Sequence, residues 1–146
     1  MKTVVVALGG NAILQPKQKG TIEEQRENVK KSAESIVQLV QEGYHVVVTH
    51  GNGPQVGNIL LQNAAAANDV PAMPLDVCGA ESQGLIGYMI QQSICNEFTR
   101  LNIKKNVVTL LTQVVVSYKD PGFQNPTKPV GPFYTKEEAE KGIAKG

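Results

Sequence analysis

The sequence predicts a protein of the α/β class, with an open, mainly parallel sheet whose strands are joined by helices. Two short β-branched apolar runs, Thr3–Leu8 and 44–49, each lead into a glycine, and a long amphipathic stretch separates them. Apolar runs of this length are typical of buried strands. A strand, a helix and a second strand in this order form a right-handed unit with parallel strands. At 146 residues the chain is long enough to bury one core.

The stretch between the two strands carries strong helix signals. Thr21 is suited to cap a helix, and Glu24 three residues later completes a capping box. Apolar residues then recur at helical spacing until Gly43 ends the pattern: Val29, Ala33, Ile36, Val37 and Val40.

Further helices are predicted from Pro54 to about Asn68 and from about Asp76 to Leu101. Proline favours the first position of a helix, which supports the start of the former. We expect Val56, Ile59 and Leu60 of that helix to face the sheet. The latter helix contains small residues that allow another backbone to approach closely, within the domain or between subunits: Gly79, Ala80, Gly84 and Gly87.

The last part of the chain changes character. Val107–Val116 is apolar and predicts a third strand, whereas 117–134 is rich in Pro, Gly, Asn and Lys. Thr135 and Glu138 form a second capping box and predict a helix that is cut off at Gly146. Because three strands make a small sheet, we expect the chain to be the front part of a longer protein.

Two glycine-containing turns follow the two best-defined strands. Gly9, Gly10 and Asn11 come directly after the first, and Gly51, Asn52 and Gly53 after the second. Parallel strands end at one edge of a sheet, where α/β proteins bind ligands. Glycines expose backbone N–H groups, and a helix N-terminus favours anions. The sequence therefore predicts one anion site with two walls. We also expect Gly51 and Gly53 to adopt backbone angles in the turn that larger residues resist.

Other signals are weaker. The spacing of Gly51, Gly53 and Gly57 misses the dinucleotide-binding pattern by one place, although a dinucleotide site stays an alternative. His50 is either a general base or, more commonly, a hydrogen-bonded structural residue. Cys78 and Cys95 lack partners at metal-ligand spacing, so we interpret them as packing residues and expect no metal site.

Composition argues against several classes. The net charge of +1 and the absence of tryptophan give no basic field or stacking platform for nucleic acid. The apolar run at Val4–Leu8 is too short for a signal peptide or a membrane span. We therefore expect a cytoplasmic protein without nucleic-acid or membrane partners.

Five motifs together resemble the carbamate kinases of the amino-acid kinase superfamily: VVVALGGNAI, VTHGNGPQVGN, PAMPLDVCGAESQG, LTQVVV and NPTKPVGPF. The resemblance covers essentially the whole chain in order. It implies a three-layer αβα sandwich with a protruding arm. It also implies reversible phosphoryl transfer between ATP and carbamate, giving ADP and carbamoyl phosphate, with Mg²⁺ accompanying the nucleotide. In arginine fermentation such an enzyme runs toward ATP.

The resemblance also implies roles for individual residues. Gly9, Gly10 and Asn11 would hold the transferring phosphoryl group, the loop 51–53 would hold the carbamate end, and Lys128 would reach the site from the arm. Residues 1–116 would form the carbamate- and phosphate-binding core, and 117–146 would begin the arm. The family's dimer contacts would come from 76–100.

The chain is about half as long as a carbamate kinase, so the resemblance implies that the nucleotide-binding domain is absent. We expect the isolated piece to be inactive. Acetylglutamate and aspartate kinases carry Lys-x-Gly-Gly at the first strand, but this chain has Ala7 at the lysine position. Another small-acid kinase and a non-catalytic anion-binding or dimerisation module stay as alternatives.

Overall fold

The computed structural model describes residues 2–128 and 135–143, without the side chains of residues 138, 141 and 142. It confirms the α/β class and the predicted order of the first elements. The described elements are β1 (Thr3–Leu8), α1 (Ile22–Gln41), β2 (His45–His50), α2 (Gly53–Ala66), α3 (Leu75–Arg100) and α4 (Lys136–Ile143). Among these helices, none combines the length and apolar character that a bilayer crossing requires.

Strands β1 and β2 pair in parallel and in register, from Thr3 opposite His45 to Leu8 opposite His50. Side chains alternate between the two faces of the sheet. Val6 and Val48 lie on the face that packs against the helices. Val5 and Val47 lie on the opposite face and are 67% and 48% exposed. The described residues therefore supply one of the two helical layers of an αβα sandwich.

Helix α1 begins where the sequence predicts. The Thr21 side chain accepts from the Glu24 N–H, and the Glu24 carboxylate accepts from the Thr21 N–H, so the capping box is complete. The helix buries the predicted stripe, including Val29, Ala33 and Val37, against β1, β2 and α3. Periodicity and cap chemistry agree, which accounts for the accuracy of this prediction.

Helix α3 is the central element of the described fold, because it packs against both α1 and α2. Ile86 and Met89 are essentially inaccessible in its middle. The prediction that α2 packs on the sheet is wrong, since α2 packs mainly against α3. Val56 is buried as predicted, whereas Ile59 and Leu60 are only partly buried. The single apolar stripe of α2 finds its partner on a helix instead of on strand side chains.

The predicted third strand over Val107–Val116 is absent from the described structure, where this segment forms no ladder. Helix α3 holds it through side chains: the Gln83 side chain accepts from Thr112 N–H and donates to Thr112 C=O, and Gln91 donates to Val107 C=O. A strand requires hydrogen bonds to the backbone of a neighbouring strand, whereas here glutamine side chains supply the hydrogen bonds. Val114 and Val115 remain 81% and 99% exposed.

The small residues of α3 have different surroundings. A Cβ on Gly87 would overlap the Thr109 side chain, which confirms the predicted close approach at this position. Gly79 and Gly84 face open space within the described structure. Their part in a subunit contact remains a prediction, as does the boundary between the core 1–116 and the arm 117–146.

Candidate anion site at the sheet edge

The two glycine-containing loops lie side by side. Leu8 and His50 end the paired strands opposite each other, so Gly9–Asn11 and Gly51–Gly53 leave the same edge of the sheet at adjacent positions. The parallel register thus brings together the two predicted walls of one site. This is the edge at which α/β sheets bind ligands.

The first loop forms a single 3-10 turn over Gly10–Ala12. Ala12 N–H donates to Gly9 C=O, and Leu14 N–H donates to Gly10 C=O. Within the described structure, the N–H groups of Gly10 and Asn11 have no backbone acceptor. Asn11 is exposed. The loop therefore offers free donors at the sheet edge.

A buried side chain anchors the far end of this loop. Asn28 of α1 is 5% exposed, and its Nδ2 donates to the Ile13 carbonyl (3.1 Å) and to Gln18 Oε1 (2.6 Å). Ile13 itself is buried in the core. The loop is thus fixed to α1 on one side while its turn remains exposed.

The second loop leads directly into α2. Asn52 is the N-cap residue, and Val56 N–H donates to its carbonyl. Pro54 has no N–H, so Gly53 and Gln55 carry the free donors of the first turn. A helix N-terminus also carries partial positive charge. The second wall therefore offers the same chemistry as the first.

The glycines of both loops face open space. A Cβ added to Gly9, Gly10, Gly51 or Gly53 would meet nothing within 4 Å. None of the four has a positive φ, so the prediction that Gly51 and Gly53 relieve turn angles is wrong. Neither packing nor backbone angle requires glycine at these four positions, and the backbone of both loops is open to close approach.

A buried amide pair connects the start of α2 to α1. Gln55 Nε2 donates to Gln25 Oε1 (2.9 Å), and Gln25 Nε2 donates to Gly20 C=O (2.9 Å). Gln25 and Gln55 are 7% and 5% exposed. A buried hydrogen-bonded pair of this kind resists displacement because either partner alone would be left unsatisfied. It therefore fixes the second wall to the helix that anchors the first.

Asn52 is held from a third direction. Its Nδ2 donates to Ser82 Oγ of α3 at 2.7 Å, and the Ser82 hydroxyl donates to Gly79 C=O at 2.6 Å. Ser82 is fully buried. Ser82 cannot be predicted from the sequence, because one serine within a helix gives no signal of a partner thirty residues away. The same holds for Gln25, Asn28 and Gln55.

His50 favours the structural interpretation. Its Nδ1 lies 3.1 Å from the Gly51 carbonyl oxygen. A carbonyl can only accept, so the ring is the donor in this contact when Nδ1 carries a proton. The contact joins the imidazole to the backbone at the start of the second loop.

The predicted role of Lys128 stays a prediction. The residue is exposed, and within the described part of the chain it has no ion pair or hydrogen bond. The loops themselves, GGNAI and GNGPQVG, contain no charged side chain. The loops therefore supply no side-chain cation for a bound anion.

A cavity of about 500 Å³ lies elsewhere, between β2, α3 and residues 105–112. Its lining is mostly apolar and includes Val46, Val48 and Ile90, but none of the six loop residues. It is the space that separates the extended segment from β2. We do not assign the anion site to it.

The sequence matches the model of the amino acid kinase family over residues 2–130. Carbamate kinase from Pyrococcus horikoshii is 58% identical over 140 residues, which cover 94% of this chain and 45% of the relative. The chain thus spans just under half the length of the curated relatives it matches.

Solved structures show the same likeness. Carbamate kinase from Giardia lamblia bound to citric acid matches with a TM-score of 0.94 and 56% identity, covering 99% of this chain and 47% of that one. The same enzyme bound to AMP-PNP matches with a TM-score of 0.86, 56% identity, and coverage of 99% and 46%. These neighbours confirm the predicted fold class. The chain belongs to the amino acid kinase family.

Proposed function

We propose that the protein carrying this chain is a carbamate kinase, which transfers a phosphoryl group reversibly between ATP and carbamate. The observation that carries the proposal is the pair of adjacent loops whose glycines face open space at the sheet edge. The similarity to carbamate kinases over nearly the whole chain supports it. We further propose that the enzyme runs toward ATP during arginine breakdown.

In the proposed reaction, a carbamate oxygen attacks the γ-phosphorus of ATP, and the bond from that phosphorus to the ADP oxygen breaks. Carbamate and ATP together carry the same charge as carbamoyl phosphate and ADP, so no proton needs to move. Catalysis then consists mainly of positioning and charge neutralisation. We assign the phosphoryl group to Gly9, Gly10 and Asn11, and the carbamate to Gly51, Asn52 and Gly53.

Free N–H groups in both loops suit this division, because preorganised donors stabilise the charge of a transferring phosphoryl group. The loops lack charged side chains, which supports a cation delivered from the arm. We propose that Lys128 is this cation and that Mg²⁺ accompanies the nucleotide. Most of the nucleotide site would then belong to the half of the relatives that this chain does not match.

We also propose a homodimer formed through residues 76–100. Val77 and Tyr88 of α3 support it, since they are 37% and 56% exposed and both offer substantial apolar surface. The molecular mass of the full-length protein in solution, measured by light scattering, tests this proposal. A monomer at micromolar concentration would exclude it.

The decisive experiment measures ATP formed from ADP and carbamoyl phosphate by the full-length protein, with Lys128→Ala beside the wild type. Loss of one charge-stabilising group costs about 3–4 kcal/mol of barrier, so we expect a loss of 10²–10³-fold in kcat. Lys119→Ala, an exposed lysine in the same proposed arm, is the matched control and should retain activity.

Other outcomes separate the alternatives. A wild type that forms no ATP from carbamoyl phosphate but phosphorylates acetylglutamate would be a different small-acid kinase. Activity unchanged in Lys128→Ala would remove the role of the arm lysine and keep the reaction. We expect residues 1–146 alone to form no ATP, and turnover by that piece would contradict the proposed need for a second half.

A further inference from the structure

The side chain of Asn52 occupies an unusual position for a helix-capping residue. It is the N-cap of α2, yet it makes no capping hydrogen bond with the helix. Asparagine is among the best N-caps because its side chain normally accepts from the first turn. Here the amide instead donates from Nδ2 to Ser82 Oγ of the neighbouring helix. The capping interaction is thus replaced by a contact with α3.

The hydrogen bonds around Ser82 fix which way this amide points. A serine hydroxyl has one proton, and the Gly79 carbonyl 2.6 Å away can only accept it. Ser82 Oγ must therefore accept from Asn52, and only the NH₂ end of an asparagine amide can donate. The nitrogen faces Ser82, and the carbonyl oxygen Oδ1 is the end left for other partners.

No donor within the described part of the chain reaches Oδ1 of Asn52. The residue is only partly buried and lies between Gly51 and Gly53, whose surroundings are open. The second loop consequently presents one neutral acceptor beside a group of N–H donors. Donors suit a carboxylate or phosphate oxygen, whereas an acceptor suits an N–H group of the substrate.

We infer that Ser82 is a positioning residue that orients the Asn52 amide so that its Oδ1 accepts from the amino group of the substrate. The inference builds on the proposed function. Carbamate and carbamoyl phosphate carry an NH₂ group where acetate and acetyl phosphate carry a methyl group. A site that provides an acceptor for this group disfavours the methyl analogue, because a desolvated acceptor is left unpaired.

The test compares carbamoyl phosphate with acetyl phosphate as phosphoryl donors to ADP in the full-length protein. The readout is selectivity, the ratio of the two values of kcat/KM. We expect Ser82→Ala to lower this ratio about tenfold, the effect of one substrate hydrogen bond, chiefly through a higher KM for carbamoyl phosphate. If acetyl phosphate turns over too slowly for its KM to be measured, its inhibition constant against carbamoyl phosphate is measured instead. This constant should differ less than twofold between Ser82→Ala and the wild type.

Two further variants separate positioning from general damage. Asn52→Ala should lower the selectivity at least as much as Ser82→Ala, and the double variant should be no worse than Asn52→Ala, because Ser82 acts only through Asn52. Ser93→Ala removes another serine hydroxyl from α3 and should leave the selectivity unchanged. Thermal unfolding of each variant identifies any change that only reflects stability.

The outcomes are distinct. A Ser82→Ala variant that loses activity equally with both donors, or a double variant whose losses multiply, would overturn the inference and leave the proposed function intact. A wild type that uses both donors equally would overturn it as well. A wild type that forms no ATP from carbamoyl phosphate would instead refute the proposed function.

Discussion

The Thr109 hydroxyl lies 3.1 Å from the Gly87 carbonyl oxygen, and the Thr109 methyl group occupies the space where a side chain on residue 87 would begin. Helix α3 and the extended segment after it therefore touch at a position that only glycine fits. This contact, with the amides of Gln83 and Gln91, holds residues 107–112 to the helix. It gives the segment an ordered path without a strand partner.

Gly87→Ala should destabilise the protein by up to about 2 kcal/mol, because overpacking costs about 1–3 kcal/mol and the higher helix propensity of alanine offsets about 1 kcal/mol. Gly84→Ala, at an open position of the same helix, should be neutral or stabilising. Urea unfolding measures both. Adding Thr109→Ser, which removes the methyl group, should restore much of the loss in Gly87→Ala. Equal destabilisation of the two alanine variants would contradict the contact.

Sequence patterns predicted β1, α1 and β2 well because several local signals agree there. The β-branched apolar runs, the Thr21 capping box and the ending at Gly43 all depend on residues close together in the chain. The third strand failed because apolar composition indicates burial, but a strand also requires a backbone partner at the right distance. Nothing within Val107–Val116 indicates that helix side chains would supply that contact.

The candidate site, too, could be predicted from the sequence only in part. Both loops are recognisable, since each glycine turn directly follows a strand. Their supports are not recognisable, since the partners of Asn52 and Gln55 lie on other helices. Long-range polar contacts of this kind depend on how the helices pack, and a single sequence gives no sign of them.

The Gln25–Gln55 pair should show strong energetic coupling. Gln55→Leu leaves Gln25 Oε1 buried without its donor, and an unsatisfied buried group costs about 1–3 kcal/mol. The double variant with Gln25→Leu removes both groups and should cost less than the sum of the single changes. A double-mutant cycle on the free energy of unfolding measures the coupling. Strictly additive values would show that the pair does not act as a unit.

Acid should weaken the contact between Glu97 and Arg100. The hydrogen bond from Arg100, 2.7 Å from the carboxylate, holds the pKa of Glu97 below its ordinary value of 4.5. Because the pKa of Glu97 is lower in the folded than in the unfolded protein, the ionised carboxylate stabilises the fold at pH values above the ordinary pKa. This stabilisation disappears as the pH falls through the lowered pKa.

Arg100→Gln should therefore destabilise the protein at neutral pH and raise the pKa of Glu97. The difference in unfolding free energy from the wild type should shrink below pH 4.5, where the carboxylate becomes protonated. Unfolding measured across this pH range, with a carbon NMR titration of Glu97, tests both effects. A difference that stays constant at all pH values would show that the contact with the Glu97 carboxylate is not the cause of the destabilisation.

The two free cysteines should react at different rates. Cys78 is completely buried, and its burial, together with the nearby Glu81 carboxylate, raises the pKa of its thiol. Since the thiolate is the reactive form, Cys78 should react slowly with a maleimide, whereas partly exposed Cys95 should react first. The rapid phase should disappear in Cys95→Ser and persist in Cys78→Ser. The reverse pattern would contradict the burial of Cys78.

The matched ends of β1 and β2 also restrict how the chain can change in length. One residue inserted in either strand would displace one glycine loop from the other by about 3.3 Å and turn the following side chains to the opposite face. The surface connection over residues 15–20 can lengthen at little entropic cost. We expect insertions and deletions among related sequences to fall in that connection, and the spacing from each strand to its glycines to stay constant.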